Sequence, residues 1–257
     1  MKIGNRNFRQ LYWLFSRKEN YIALINFFRI YKNPFMQMMD ALFNVHKYPK
    51  NILIKGQNTI SFLLLNPEDM ATIHAVYCRE DYKINNKQNV VIDIGSNKGY
   101  TVGYFLSKNK NNFVYGYEPD VNNFKLLKRN LSQFQGRYEI YENAVSDMPS
   151  KLTFYSEKTG KYGSLEPLSS NEEILESYEV DVLGINDILE KVLSKHKRIN
   201  YIKIDTEGHE ERIIRSIKEK YWKKIDVIYS ENSNCTEFIP LNFKRTWRYD
   251  IEKITSI

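Results

Sequence analysis

Apolar positions in this chain change their spacing near residue 88. Before it, helical spacing and short paired runs alternate. Leu11, Leu14 and Phe15 suit one helix face, and the apolar stretch 21–31 continues that character until Asn33-Pro34 interrupts it. Residues 35–43 predict another short helix. Residues 52–54 and 59–65 predict two strands around a hairpin turn, Lys55-Gly56-Gln57-Asn58. Pro67-Glu68-Asp69 opens a helix running to about Cys78.

Beyond residue 88 short apolar runs alternate with helical patterns. Strands are predicted at 90–94, 113–117, 138–141 (continued by 143–145), 151–155, 180–183, 201–204 and 225–229. Helices are predicted at about 99–108, 120–134, 185–193 and 209–217. The fold class is therefore α/β, a doubly wound and mostly parallel sheet. Residues 1–87 form a helical and hairpin extension of it, and 88–257 the main domain.

Composition changes this picture in two ways. The two cysteines, Cys78 and Cys235, are too few for a disulfide framework, so both are expected as buried thiols in a reducing, cytoplasmic compartment. No apolar run predicts a membrane span, and no signal-peptide core follows the basic start. The net charge of +7 sits entirely in residues 1–50, where nine Lys or Arg face two acids; 29 basic and 29 acidic side chains balance over 51–257. That balance makes nucleic acid an unexpected partner of the main domain. Eleven aromatics accompany the cations of residues 1–50. Two readings stay open for this arm: a cap packed on the core, or an interfacial segment giving peripheral membrane contact.

Candidate chemistry begins at residues 90–101. Asp93 interrupts a buried-strand pattern, and Gly95 and Gly99 bracket Ser96, Asn97 and Lys98 before a helix. Strand, glycine turn and helix form a nucleotide-type binding layout, but the spacing D-x-G-x-x-x-G is not the dinucleotide pattern. It resembles the first motif of class I S-adenosylmethionine (SAM) methyltransferases, whose glycines let backbone approach the methionine portion. A strand-to-helix turn capped by Asn97 is the competing reading. Glu118 ends the next strand, where a carboxylate can accept both hydrogens of a ribose diol. Asp120 instead suits an N-cap. Asn143 and Ala144 close the third strand, the expected place for adenine.

The stretch 201–210 carries the most unusual charges. Alternation puts Lys203 and Asp205 on one face, so the cost of a buried lysine is met by an adjacent acid. Ligands in such sheets bind at the carboxyl ends of strands. Asp205, Glu207 and His209 are therefore the candidate catalytic residues, with His209 the base of most suitable ordinary pKa.

Together Asp93 to Gly99, Tyr117-Glu118-Pro119, the Asn143 to Asp147 run, Gly163-Ser164-Leu165 and Lys203 to Gly208 with Glu210 resemble the FkbM family of SAM-dependent methyltransferases. The resemblance covers about residues 88–231. It implies a Rossmann-like fold, SAM as cofactor, and methyl transfer, usually to a hydroxyl on a sugar or a polyketide; a small-molecule or glycan acceptor, lipid-linked ones included, is the expected partner. Ser96 stands where the family often has Ala. Only about 26 residues follow Glu231, with one clear strand candidate at 249–257, so the closing strand pair is expected to be shortened or irregular. A magnesium site built from Asp205, Glu231 and Asn232, similar to that of catechol-type O-methyltransferases, is the alternative to a protein base. An RNA methyltransferase guided by the basic arm is the alternative in substrate.

Overall fold

The computed structural model describes residues 2–3, 6–7, 18–43, 47–56, 59–166, 174–231 and 238–257. These fall into two compact units, Met1–Lys83 and Ile84–Ile257.

In the first unit, β1 (Lys2–Ile3) and β2 (Arg6–Asn7) pair antiparallel. Helices α1 (Lys18–Ile30) and α2 (Pro34–Phe43) follow, separated where Pro34 forbids continuation. The predicted hairpin is β3 (Lys50–Ile54) with β4 (Ile60–Leu64), and alternation buries Ile52, Ile54, Ile60, Phe62 and Leu64. Helix α3 (Pro67–Ile73) starts on Asn66, which exchanges capping hydrogen bonds with Asp69, and continues as a π-helical turn, His74–Cys78. Cys78 is a buried thiol. Predicted features at 8–17, the tip of the hairpin at 57–58 and Cys235 lie outside the described residues. No described helix is long and apolar enough to cross a membrane.

The second unit is built on a seven-stranded sheet. Its strands are β5 (Val90–Ile94), β6 (Phe113–Tyr117), β7 (Tyr138–Tyr141), β11 (Ile199–Ile204), β12 (Ile225–Glu231), β13 (Phe243–Arg248) and β14 (Ile251–Ser256). The order is β13-β14-β12-β11-β5-β6-β7, parallel from β12 through β7. Helices α4 (Tyr100–Lys108), α5 (Val121–Leu131), α6 (Ile185–Lys195), α7 (Glu210–Ser216) and α8 (Glu219–Trp222) form the connections. Ile92, Ile94, Ile202, Ile204 and Ile228 from the central strands pack with Ile188, Leu189, Ile213 and Ile214 from helices in one core. Strands buried on both faces explain the continuous apolar runs of the sequence.

Two features depart from the expectation. First, residues 143–145 do not extend β7. They form β8 (Ala144–Ser146) in a separate three-stranded sheet with β10 (Ile174–Gly184) and β9 (Ser150–Glu157). Ala144 packs there against Phe154, Val180 and Val182. Second, the closing strand pair is neither shortened nor irregular. β13 and β14 pair antiparallel from Phe243 with Ser256 to Arg248 with Ile251. β13 was missed because it is an edge strand whose side chains are largely polar. Its Arg245 pairs with the fully buried Glu252 of β14, which no apolar pattern marks.

Candidate active site

The carboxyl ends of β5, β6, β11 and β12 lie side by side, and the chemistry collects there. Lys203 pairs in register with Asp93 across the β11–β5 ladder. Its ammonium lies 3.2 Å from Asp93 Oδ1 and 3.2 Å from Asp205 Oδ2, and donates to the Gly95 carbonyl at 2.7 Å. Lys203 and Asp93 are fully buried, and Asp205 is partly exposed. Burial opposes the lysine charge, but Asp205 and Asp93 outweigh it and raise the Lys203 pKa. Burial pushes Asp93 up to about 6 against the pull of Lys203. The predicted Lys203–Asp205 pairing is present, and Asp93 makes it a triad.

The turn after β5 is fixed from several sides. Gly95 has φ +76° and Gly99 φ +87°, both left-handed, and Asn97 joins them at φ +48°. Gly99, not Asn97, is the N-cap of α4. The Ser96 hydroxyl donates to the Asp93 carbonyl at 2.9 Å and accepts the Tyr117 N–H at 3.1 Å, so this side chain ties β5 to β6.

Glu118 is buried at the end of β6. It accepts the Asn97 N–H at 2.7 Å, the Asp120 N–H at 3.0 Å and the Asn123 amide at 3.5 Å. Burial pushes its pKa up to about 7, with the Asp120 and Asn97 N–H groups pulling the other way and the Asp120 charge adding to the rise. A carboxylate accepts about four hydrogen bonds and three are taken here, so capacity remains for one ribose hydroxyl, and for the second only where the long 3.5 Å Asn123 contact gives way. Asp120 is the N-cap of α5, accepting from Asn122 and Asn123 at 2.8 Å.

A loop following β9 closes on this turn. The Gly160 carbonyl accepts the side-chain amides of Asn97 at 2.7 Å and Asn123 at 2.8 Å, and Lys98 Nζ donates to the Thr159 carbonyl at 2.8 Å. Asn143 donates to the Asp181 carbonyl of β10 at 3.3 Å. With the Ala144 side chain in the small core, its backbone is what it can offer a ligand.

The 205–209 loop is ordered by Glu210. That carboxylate accepts the Thr206 N–H at 2.6 Å, the Thr206 hydroxyl at 3.0 Å and the Gly208 N–H at 3.0 Å. Glu207 is exposed, with φ +54°, and its carbonyl accepts the Ser164 hydroxyl at 2.9 Å. The Gly163-Ser164-Leu165 segment is thereby fastened to the loop that follows β11. His209 is buried; its Nδ1 lies 2.9 Å from the Ser146 hydroxyl, and its Nε2 lies 4.0 Å from Glu166 Oε1. Burial and Arg212 lower its pKa, against the pull of Glu166, Glu210 and Asp147.

Glu231 completes the cluster. β11 and β12 pair through Ile204 with Ser230, so Asp205 and Glu231 emerge beside each other past the last ladder position. Burial, together with the charge of Asp205 and a shared hydrogen bond, raises Glu231 to about 8. Lys161 feels both Glu231 and Glu207. Sequence reasoning considered Glu231 only as a metal ligand; its pairing with Asp205 needs strand register, which spacing does not reveal. Lys98, Asn123, Gly160 and Ser146 were also missed, as their roles depend on the loop after β9 and on β8.

Among the described residues the magnesium site expected at Asp205, Glu231 and Asn232 finds no support. The Lys203 ammonium occupies the space between Asp93 and Asp205. Among the described residues no group of three His, Cys, Asp or Glu is arranged to hold an ion, and Asn232 lies outside them. The turn at 95–99 and the enclosed carboxylate of Glu118 do fit a nucleoside-bearing cofactor such as SAM.

A parallel sheet with a glycine turn after its first central strand, an acid ending the second and a charged fourth strand end defines a Rossmann-like methyltransferase domain. The family model "Methyltransferase FkbM domain" matches residues 93–252, and the chain belongs to that family. Methyltransferase 1 of Beauveria bassiana (strain ARSEF 2860) is 26% identical over 158 residues, 55% of this chain and 63% of that protein. The chain thus spans less than two thirds of that curated relative. Among solved structures, the O-methyltransferase from Bacillus cereus in complex with SAH (12% identity, TM-score 0.41) matches over 75% of this chain and 82% of that one. The M. capricolum TrmK structure with S-adenosyl-homocysteine (16% identity, TM-score 0.37) matches over 69% and 66%.

Proposed function

We propose that this chain transfers a methyl group from SAM to a hydroxyl of a saccharide or glycan-type acceptor. The observation that carries the reading is the Asp205–Glu231 pair. When bound, SAM supplies an electrophilic methyl group on a sulfonium. Held at Gly95, Asn97, Gly99 and Glu118, it would give that methyl to the acceptor oxygen and keep the carbon–sulfur electron pair. The hydroxyl proton must then leave, and Glu231 is the group to take it. A base works best when its pKa lies near the working pH, and Glu231 releases its own proton near pH 8. Asp205, ion-paired with Lys203, holds Glu231 in place.

The other residues divide by contact. Gly95, Asn97, Gly99 and Glu118 hold the cofactor, with Asn143 and the Ala144 backbone at its adenine end and Ser96 bracing the turn. His209 acts as a positioning residue through Ser146. Exposed Glu207, Lys161 and Tyr162 form the acceptor rim, and an aromatic ring among charged groups suits a sugar. The main domain carries no charge excess for RNA, since the surplus lies within residues 1–50.

The test uses SAM labelled in its methyl group, with a glycan extract and with total RNA as acceptors. Label in the glycan fraction is expected. Label in RNA alone would overturn the acceptor class, and label in neither would overturn hydroxyl transfer to glycans.

A further inference from the structure

We propose that the first unit docks on an anionic lipid bilayer through the outward faces of α1 and α2. The two helices are apolar on the side that faces water. On α1, Tyr21, Ile25 and Phe28 recur at spacings of four and three residues, which places them on one face. On α2, Phe35 and Met36 lie four and three residues before Met39, on its side of the helix. These six side chains are 38% to 68% exposed. The Phe28 and Phe35 rings meet edge to face at 5.8 Å, which joins the two faces into one patch. Isolated exposed apolar residues need no explanation, but a contiguous patch of this kind marks an interaction surface.

Helix α2 makes the point most sharply, because its polarity is inverted. Its acid, Asp40, is buried against Lys50, while Phe35, Met36 and Met39 face out. A helix folded only for its own unit would present the reverse. The opposite side of α1 already packs inward: the Phe27 ring meets Tyr31 edge to face and His74 at a tilt, and Asn26 donates to the Cys78 carbonyl at 2.8 Å. The outward patch is therefore surplus to the core of this unit.

Charge selects the occupant. Exposed Arg29, Lys32, Lys47 and Lys55 accompany the patch in the same unit, and residues 1–50 carry nine cations against two acids. Of those two acids, Asp40 is turned inward. Aromatic and aliphatic side chains flanked by Lys and Arg match the boundary between acyl chains and anionic headgroups. A second copy of the chain would bring like charge to like charge.

The experiment is sedimentation of the full chain with vesicles of phosphatidylcholine alone or mixed with phosphatidylserine, at low and raised salt. Binding is expected to the mixed vesicles, weaker in salt and weak to phosphatidylcholine alone. Phe35→Glu with Met39→Glu should reduce it by roughly tenfold or more. Arg29→Glu with Lys32→Glu changes only exposed cations, so it keeps the fold and should also weaken binding. Failure of the wild-type chain to sediment with mixed vesicles would overturn the proposal, as would unaltered binding by both variants. Light scattering that shows a dimer lost in Phe35→Glu/Met39→Glu, without vesicle binding, would assign the face to a second copy instead. Retention of RNA but not of vesicles would assign the cations to nucleic acid.

Discussion

A Cβ atom on Gly95 would stand 1.8 Å from the carbonyl oxygen of Asp205. The obstacle is backbone, so no side-chain rotation relieves it. The turn that follows β5 and the strand end that follows β11 are therefore in direct backbone contact and form one assembly. The Asp205 N–H, bonded to the Ile94 carbonyl at 3.2 Å, fixes the same junction.

Gly95→Ala should accordingly cost more than its left-handed φ alone, which accounts for roughly 1–2 kcal/mol. The strand ends must separate, so both thermal stability and SAM affinity should fall. Calorimetric titration with SAM checks this. Wild-type affinity in Gly95→Ala would show that the junction is not rigid.

Glu118 titrates near pH 7, so SAM affinity should depend on pH. A ribose diol donates hydrogen bonds, and the ionised carboxylate accepts them best. Affinity is expected to be constant above pH 7 and to fall as pH drops through it. Glu118→Gln should bind SAM weakly at every pH. Titrations at intervals from pH 6 to pH 8 distinguish the two behaviours.

Lys203 is the charge that makes the buried cluster tolerable. Replacing it with Met leaves Asp93 and Asp205 facing each other, a loss of about 3–5 kcal/mol for a broken buried pair. Adding Asp93→Asn should return part of that loss. Chemical denaturation of the two single variants and the double variant measures the coupling.

Glu231 should also shape the stability curve. Its folded pKa, about 8, lies above that of an ordinary carboxylate. The folded state then binds the proton more tightly than the unfolded one. Stability from this group is fully present at low pH and is lost as pH rises through 8. Glu231→Gln should remove that alkaline loss, so its melting temperature relative to wild type should improve between pH 6 and pH 9.

Much of this site was legible because local pattern and local chemistry coincide. The run 90–99 announces a buried strand and a glycine turn, and 201–205 announces a buried lysine that needs acids. What escaped depends on partners distant in sequence. Glu231 gains its role from the Ile204–Ser230 register. Gly160 gains its role from Asn97 and Asn123, 63 and 37 residues away. The split between β7 and β8 is hidden because Glu142 and Asn143 interrupt an apolar run only briefly. β13 is polar because it is an edge, so its pattern resembles a loop. His209 was a natural base by type, yet the fold buries it against Ser146.

We propose that Glu231, held beside Asp205, takes the acceptor proton. It is tested most directly by the pH dependence of kcat/KM for methyl transfer, measured on wild type and Glu231→Gln with SAM affinity measured in parallel. The account predicts a wild-type rate that rises through about pH 8, and a variant that binds SAM normally. That variant should be slower by about 10²–10⁴-fold and should have lost the limb. A variant that keeps both the rate and the limb would contradict it.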